Sequence, residues 1–339
     1  MFLQRSEAGK AFHLVRETTR NNVSTVFWAT GSLEGQSHTV QVPVDSTSHR
    51  ITFTFSSASE GSSIKIMPPS GTAIGPPASA DIEITELRCG RIVTVVSPET
   101  GIWRIELSGK GKFWIEVQVQ SEIHFLRAEF VREGGRPGHE GFFRIDGQPV
   151  AGKPAMIRAS LSAEGTRNTE FFLASERGEI IQRLQMRAVD SAGEEFMGTA
   201  DLPNVPFRVA ATGIDGNGKQ YQRFYASLFR AESLEVSWNR SFDELQAGST
   251  RQAQFTIRNA GTDGTFKVTA VDAHQFAAKV EPAELTLASG QSGTVLINLS
   301  VPAGAQPTGD DVVVVATSTA GPTRSNSSVA HFLIVQRRD

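Results

Sequence analysis

Apolar and polar residues alternate in short segments along most of the chain, and this alternation constrains the fold more than any other feature. Successive side chains of a β-strand point to opposite faces, so a segment with this pattern buries one face and exposes the other. The segments recur at roughly the 8–12-residue spacing that is typical of β-sandwiches, with Ser, Gly and Pro between them. We therefore predict an all-β protein built from consecutive antiparallel β-sandwich domains.

The strand-like segments fall into three sets. The first runs from HTVQVPV to KFWIEVQV, the second from EIHFLRAEFV to YQRFYASLF, and the third from SLEVSW to VAHFLIVQ. Each set has about the length of one two-sheet sandwich. We predict a β-sandwich over residues 35–120 and immunoglobulin-like β-sandwiches over 121–232 and 233–339. Because few residues separate the sets, neighbouring sandwiches should form a semi-rigid array.

The first 34 residues follow a different pattern. Residues 10–15 (KAFHLV) have the pattern of a short strand, and the apolar residues of segment 21–33 have a spacing compatible with a helix. One strand and one helix do not make a domain alone. We therefore predict that residues 1–34 are the remnant of a preceding domain.

Charge and composition exclude several classes of partner. The net charge is −3 and the sequence pI is about 6.2, with no run of Lys or Arg, so neither nucleic acid nor an anionic membrane is a favoured partner. No stretch reaches the roughly 18–20 apolar residues that span a bilayer. The first residues lack the pattern of a signal peptide. The chain is therefore either cytosolic or a piece of a longer secreted protein.

Four Asn-x-Ser/Thr sequons favour an extracellular setting. They begin at Asn22, Asn239, Asn298 and Asn326, and each is a candidate site of N-glycosylation. The single cysteine, Cys89, cannot form an internal disulfide, so the usual marker of an oxidising compartment is absent. Arg88 and Arg91 flank Cys89, which is therefore either a thiol with a lowered pKa or, as fits a strand end better, a half-buried structural thiol.

The stretch that begins at Asp215 looks like the start of a calcium loop. Asp215 and Asn217 fit the first and third positions of an EF-hand, but Lys219 replaces the oxygen ligand at the fifth and Ala226 replaces the final Glu. Alternating residues on both sides and two Gly-containing pairs instead predict a hairpin turn within 207–224. No other pattern indicates a metal, cofactor or catalytic site, so none is predicted.

Two tryptophans admit two interpretations. Trp103 follows a turn and Trp114 lies on the next strand, so both rings could lie on one sheet. If the two rings are exposed and coplanar, they would form a sugar-binding platform. If they are buried, they would be a core pair, which is the commoner role of large aromatic residues in a sandwich. Their solvent exposure separates the two interpretations.

Three segments carry a family resemblance. SPETGIWRIEL (97–107), LRAEFVREGG (126–135) and LPNVPFRVAATGIDGNGKQYQRF (202–224) resemble the region after the von Willebrand factor A domain in hemicentin-like proteins, more specifically in the von Willebrand factor A domain-containing protein 7 family. The resemblance implies a β-sandwich followed by an immunoglobulin-like sandwich. It also implies that residues 1–34 end an A domain whose Asp-x-Ser-x-Ser metal loop lies upstream. DSTSH (45–49) departs from that pattern, and we predict a turn there.

The resemblance implies a non-catalytic extracellular segment that spaces an upstream A domain and can bind extracellular or matrix proteins. The alternative is a carbohydrate-binding accessory module that uses exposed Trp side chains. An enzyme would need converging titratable groups, which the sequence does not show. We expect no cofactor, no nucleic-acid partner and no membrane insertion. The sequence leaves the ligand and the oligomeric state open.

Overall fold

The computed structural model describes residues 12–135, 138–162, 165–240 and 242–336. These residues belong to two compact units. The first unit comprises Met1–Ala128, Arg158–Thr199 and Pro206–Phe229, and the second comprises Glu129–Ile157, Ala200–Val205 and Arg230–Asp339. The described chain is nearly all-β, with one short helix, and this confirms the predicted fold class.

Most of the strands follow the predicted segments. The first part of the chain contains α1 (Phe12–Thr18), β1 (Val23–Glu34), β2 (His38–Val44), β3 (Arg50–Ser57), β4 (Ser63–Met67), β5 (Ile82–Leu87), β6 (Gly90–Val96), β7 (Gly101–Ser108) and β8 (Lys110–Gln120). The middle part contains β9 (His124–Gly134), β10 (Gly141–Arg144), β11 (Pro154–Ser162), β12 (Arg167–Ser175), β13 (Ile180–Ala188), β14 (Glu195–Asp201), β15 (Phe207–Ile214) and β16 (Gln220–Phe224).

The last part of the chain is the most regular. It contains β17 (Leu234–Trp238), β18 (Asp243–Gln246), β19 (Thr250–Asn259), β20 (Gly264–Val271), β21 (Ala277–Glu281), β22 (Glu284–Leu287), β23 (Ser292–Ser300), β24 (Thr308–Ser318) and β25 (Ser325–Val335).

In the first unit, β1–β8 form a two-layer sandwich. One layer has the strand order β1-β8-β3-β6-β5 and the other has the order β2-β7-β4. A single apolar core joins the two layers, with Phe53 and Val117 from the first and Val42, Trp103 and Ile105 from the second. Each large apolar side chain buried in this way stabilises the fold by roughly 1.5–3 kcal/mol.

The predicted helix over residues 21–33 is wrong, because this segment is strand β1. It pairs with β8 from Val23↔Gln120 to Glu34↔Lys110 and with β16 at Thr25↔Phe224. Its residues from Ser24 to Ala29 are all buried, so the period-two alternation that marks a half-exposed strand is missing. Because β1 lies inside the first sheet, the boundary predicted after residue 34 is also wrong.

The predicted strand over residues 10–15 is wrong as well. The helix α1 begins at Phe12, while Lys10 and Ala11 lie outside the described residues. The buried Glu17 of α1 bonds to Arg16 and Arg20, and Arg50 lies 3.6 Å from it. Burial would raise the pKa of Glu17, but these arginines outweigh burial and lower it.

Residues 121–232, predicted as one sandwich, are shared between the two units. The hairpin of β15 and β16 belongs to the first unit, where β16 pairs with β1. The hairpin of β9 and β10, paired from Gly141↔Gly134 to Arg144↔Val131, lies in the second. Strands that are so distant in sequence pair without leaving a local sequence pattern. The predicted domain boundaries therefore do not reflect these pairings.

In the second unit, β17–β25 form a sandwich of two sheets. The strand orders are β17-β19-β23-β21 and β18-β25-β24-β20-β22. All pairings are antiparallel except that of β18 with β25, which is parallel. Alternate residues of β25 are buried, and Phe332, Ile334 and Trp238 are part of one continuous core.

Candidate functional site

The loop after β2 forms the first half of a buried polar cluster, which we call the loop cluster. Its members are Asp45, Ser46, Thr47, Ser121, Asp215 and Arg223. Asp45 accepts hydrogen bonds at Oδ1 from the backbone N–H of Thr47 (3.1 Å) and from its hydroxyl (2.7 Å). Arg223 of β16 donates from Nη2 to Asp45 Oδ2 (2.6 Å) and to the Ser121 hydroxyl (2.6 Å). Segment 45–49 is a turn, as predicted.

The loop between β15 and β16 forms the second half. Asp215 Oδ1 accepts from the N–H groups of Asn217 (2.9 Å) and Lys219 (2.8 Å). Its Oδ2 accepts from the N–H (2.8 Å) and the hydroxyl (2.6 Å) of Ser46. The predicted hairpin is confirmed, since Ile214 pairs with Gln220. The carboxylate that resembles a calcium ligand instead joins two loops of the first unit.

Both carboxyl groups of this loop cluster are held in the charged form. Burial would raise the pKa of Asp45, but the positive charge of Arg223 and the hydrogen bonds from Thr47 outweigh burial and lower it. Burial would likewise raise the pKa of Asp215, and the donors of Ser46, Lys219 and Asn217 lower it. Every carboxylate oxygen of the pair accepts a hydrogen bond from the protein. The arrangement therefore fastens the loops together.

No group of three His, Cys, Asp or Glu side chains in the described parts of the chain is placed to hold a metal ion. Cys89 lies half-buried in the turn between β5 and β6. This is the placement that a structural strand-end thiol would have.

The structure separates the two tryptophans of the predicted sugar platform. Trp103 lies on β7 with only 1% of its surface exposed; its ring centroid is 5.4 Å from that of Phe53, and its indole donates to the carbonyl of Glu99 (2.8 Å). Trp114 is half-buried on β8, in the other layer. The platform hypothesis is therefore wrong for Trp103, because a large aromatic residue between two sheets fills the core.

The four sequon asparagines have very different surroundings. Asn22 is exposed in a turn with a φ of 58°, and Asn239 is exposed after β17. Asn298 is half-buried in β23, and its Nδ2 donates to Glu281 Oε2 (2.8 Å). Asn326 is buried, and its Nδ2 donates to the carbonyls of Leu234 (2.7 Å) and Gln148 (2.9 Å). In the folded chain Asn326 is therefore a poor candidate for glycosylation, because the reacting nitrogen is buried and donates to two carbonyls.

An open groove in the second unit, which we call the arginine groove, was not predicted. It has a volume of about 700 Å³, and its wall includes side chains of β9, β10 and the end of β17. Its charged and aromatic residues are Arg132, Glu133, Phe143, Arg144, Asp146, Trp238, Arg240 and His331.

The residues that build the loop cluster and the groove carry little sequence signal. Arg223 stands in QYQRFY, where nothing marks it as the partner of an aspartate 178 positions away. Phe143 and Arg144 of β10 lie within the second set of strand-like segments, but their place beside Arg132 and Trp238 depends on long-range packing. A signal was available in the consecutive Phe142 and Phe143, since two adjacent aromatic residues in a short strand place one ring on each face.

Two family models match parts of the chain. Residues 25–122 match the hemicentin galactose-binding domain-like model, and residues 236–336 match the VWA7 Ig-like domain model. Together the two matches support a VWA7/hemicentin-like region. The first match covers the sandwich of β1–β8 and the second covers that of β17–β25. Residues 123–235 lie outside both matches.

No curated protein matches the sequence significantly. Among solved structures, a DUF4785 family protein of Legionella pneumophila is 12% identical, with 88% of this chain and 87% of that chain covered and a TM-score of 0.43. Bacillus licheniformis lipase BlEst2 in propeptide form is 14% identical, with 60% of this chain and 40% of that chain covered and a TM-score of 0.29. Escherichia coli alpha-2-macroglobulin activated by porcine elastase is 11% identical, with 88% of this chain and 33% of that chain covered and a TM-score of 0.29. All three TM-scores are below 0.5, so nothing is carried over from these proteins.

Domains of the two matched kinds fit an extracellular structural or adhesive module and are typically non-catalytic. No helix in the described ranges is long and apolar enough to cross a membrane.

Proposed function

We propose that this VWA7/hemicentin-like region is a non-catalytic structural segment of an extracellular protein. In this proposal its β-sandwiches form a semi-rigid array that spaces a neighbouring von Willebrand factor A domain and binds extracellular or matrix proteins. The observation that carries the proposal is the match of residues 25–122 to the hemicentin galactose-binding domain-like model and of residues 236–336 to the VWA7 Ig-like domain model, each on a sandwich with a continuous apolar core.

The loop cluster supports a structural role. A catalytic carboxylate needs access to substrate, whereas Asp45 and Asp215 are buried and their oxygens accept hydrogen bonds from neighbouring loops. Such fully bonded polar clusters rigidify a fold and specify one arrangement of its loops.

Small-angle X-ray scattering of the purified chain tests the array. A semi-rigid array keeps the same maximum dimension in low and in high salt. A maximum dimension that grows with salt, with the scattering profile of a flexible chain, would contradict the spacer role. Adhesion of chain-coated beads to deposited extracellular matrix tests the binding role, with albumin-coated beads as the control; equal adhesion of both would contradict it.

The second candidate function is carbohydrate binding. The match of residues 25–122 to a galactose-binding domain-like model favours it. The buried Trp103 cannot take part, so a site in this sandwich would have to use other side chains. Titration with galactose, followed by Trp fluorescence and calorimetry, tests this candidate. A lack of heat and of spectral change up to about 10 mM galactose would argue against it.

A further inference from the structure

The arginine groove has unequal numbers of positive and negative side chains. Three arginines line it, Arg132, Arg144 and Arg240, against the two carboxylates of Glu133 and Asp146. With His331 neutral, the formal charge is 3 − 2 = +1, in a chain whose net charge is −3. Two of these arginines are bonded to carboxylates, so the capacity of the groove to bind an anion depends on the third.

One of the three arginines has a guanidinium without a partner among the described residues. Arg132 pairs with Asp146 (3.1 Å), and Arg240 pairs with Asp243 (2.6 Å). The side chain of Arg144, at the exposed end of β10, makes no ion pair or hydrogen bond with any residue that the structure describes. A guanidinium offers a planar fork of N–H donors that fits a carboxylate in bidentate fashion. The groove thus has room for one acidic group.

Aromatic side chains supply the apolar part of the groove. Phe143 stands directly opposite Arg132 in the β9–β10 ladder and is 47% exposed. Trp238 is 4% exposed, packs against Phe255 and Phe332, and has no hydrogen-bond acceptor for its indole N–H among the described residues. An exposed ring beside a charged fork suits a sugar ring, which has an apolar face and polar edges.

We propose that the arginine groove binds a short oligosaccharide that carries a carboxylate, such as a uronic or sialic acid. Arg144 binds the carboxylate, Phe143 packs against the apolar face of a sugar ring, and the Trp238 N–H donates to a ring hydroxyl. The volume of about 700 Å³ lies in the range of small-ligand sites and accommodates a few sugar units. This site differs from any galactose site in residues 25–122.

Isothermal titration of the full chain with a hyaluronan tetrasaccharide tests the proposal, and sialyllactose in a second arm distinguishes uronic from sialic acid. We expect at least one of them to bind. Arg144→Ala should weaken that binding about tenfold or more, and Arg144→Lys should weaken it less, because it keeps the charge but loses the fork. Arg187→Ala, which removes an exposed arginine of the first unit, is the matched control and should leave binding unchanged.

Two further ligands serve as controls. The carboxyl-reduced tetrasaccharide tests whether the carboxylate is recognised, and a hexaglutamate peptide tests whether the sugar is. If the reduced sugar binds as well as the native one, the carboxylate is not recognised and the proposal is overturned. Equal binding of hexaglutamate would assign the groove to acidic peptides instead. Binding that Arg144→Ala leaves intact, or no binding of either acidic sugar up to about 10 mM, would also overturn it. Since Arg144 is exposed and unpaired in the described structure, its variants should melt at the wild-type temperature.

Discussion

Arg223 Nη2 lies 2.6 Å from Asp45 Oδ2, and neither side chain has any exposed surface. Two charges lose their hydration when they are buried, and here the loss is offset by their attraction and by hydrogen bonds to Thr47, Ser121 and the carbonyl of Ile123. The pair therefore adds less to stability than its contacts suggest. Removing one partner alone has a much larger effect, because the other charge stays buried.

We predict that Arg223→Met lowers the free energy of unfolding by about 3–5 kcal/mol, because it leaves the Asp45 carboxylate buried without its partner. Urea unfolding followed by Trp fluorescence measures the loss. The control is Arg183→Met, which removes the exposed partner of Glu170 and should cost less than about 1 kcal/mol. Equal losses in the two variants would show that the buried pair does not fasten the loops.

Acid should weaken the first unit through the loop cluster. Asp45 and Asp215 have folded-state pKa values below the ordinary value of 3.8, so each stabilises the fold above the unfolded pKa. That stability is lost as the pH falls through the lower folded-state values. We expect the urea midpoint to fall steeply below about pH 4. Asp45→Asn should flatten this dependence; a variant with the wild-type slope would contradict the assignment.

The two tryptophans should differ in their effect on stability. Trp103→Ala empties the centre of the β1–β8 sandwich and removes the hydrogen bond to Glu99, so it should cost about 3–5 kcal/mol. Trp114→Ala removes a half-buried ring and should cost less than half of that. Denaturant unfolding of both variants measures the difference. A milder effect of Trp103→Ala than of Trp114→Ala would contradict the core position of Trp103.

Glycan occupancy should follow the exposure of each sequon. In a secreted chain from a glycosylating host, we expect glycans at Asn22 and Asn239 and none at Asn326, whose Nδ2 donates to two carbonyls. Asn298, half-buried and bonded to Glu281, should also be unmodified. Mass spectrometry of glycopeptides reads each site separately. An occupied Asn326 in the folded protein would contradict the described packing.

The sequence predicts those strands whose two faces meet different surroundings. HTVQVPV becomes β2 with the predicted bounds, because one face of the strand is more exposed than the other. The segment of β1 is buried on both faces and therefore lacks alternation, while its apolar spacing suggests a helix. The four-residue β18 is too short for any period to show.

The sites were harder to predict than the strands. Local chemistry correctly indicated that Asp215 opens a hairpin turn, because the ligand positions of a calcium loop are contained in one segment. Its bonds to Ser46, 169 positions away, depend on how the strands stack and leave no local trace. The same is true of Arg144 and Trp238, which line one groove from separate strands.

The chain passes from one compact unit to the other after Ala128, Ile157, Thr199, Val205 and Phe229. Neither unit is therefore one uninterrupted stretch of sequence. A recombination event with a single breakpoint inside this range would divide at least one of the two units. In the course of evolution, residues 23–335 would have to be inherited together, unlike the independently exchangeable domains of many adhesion proteins.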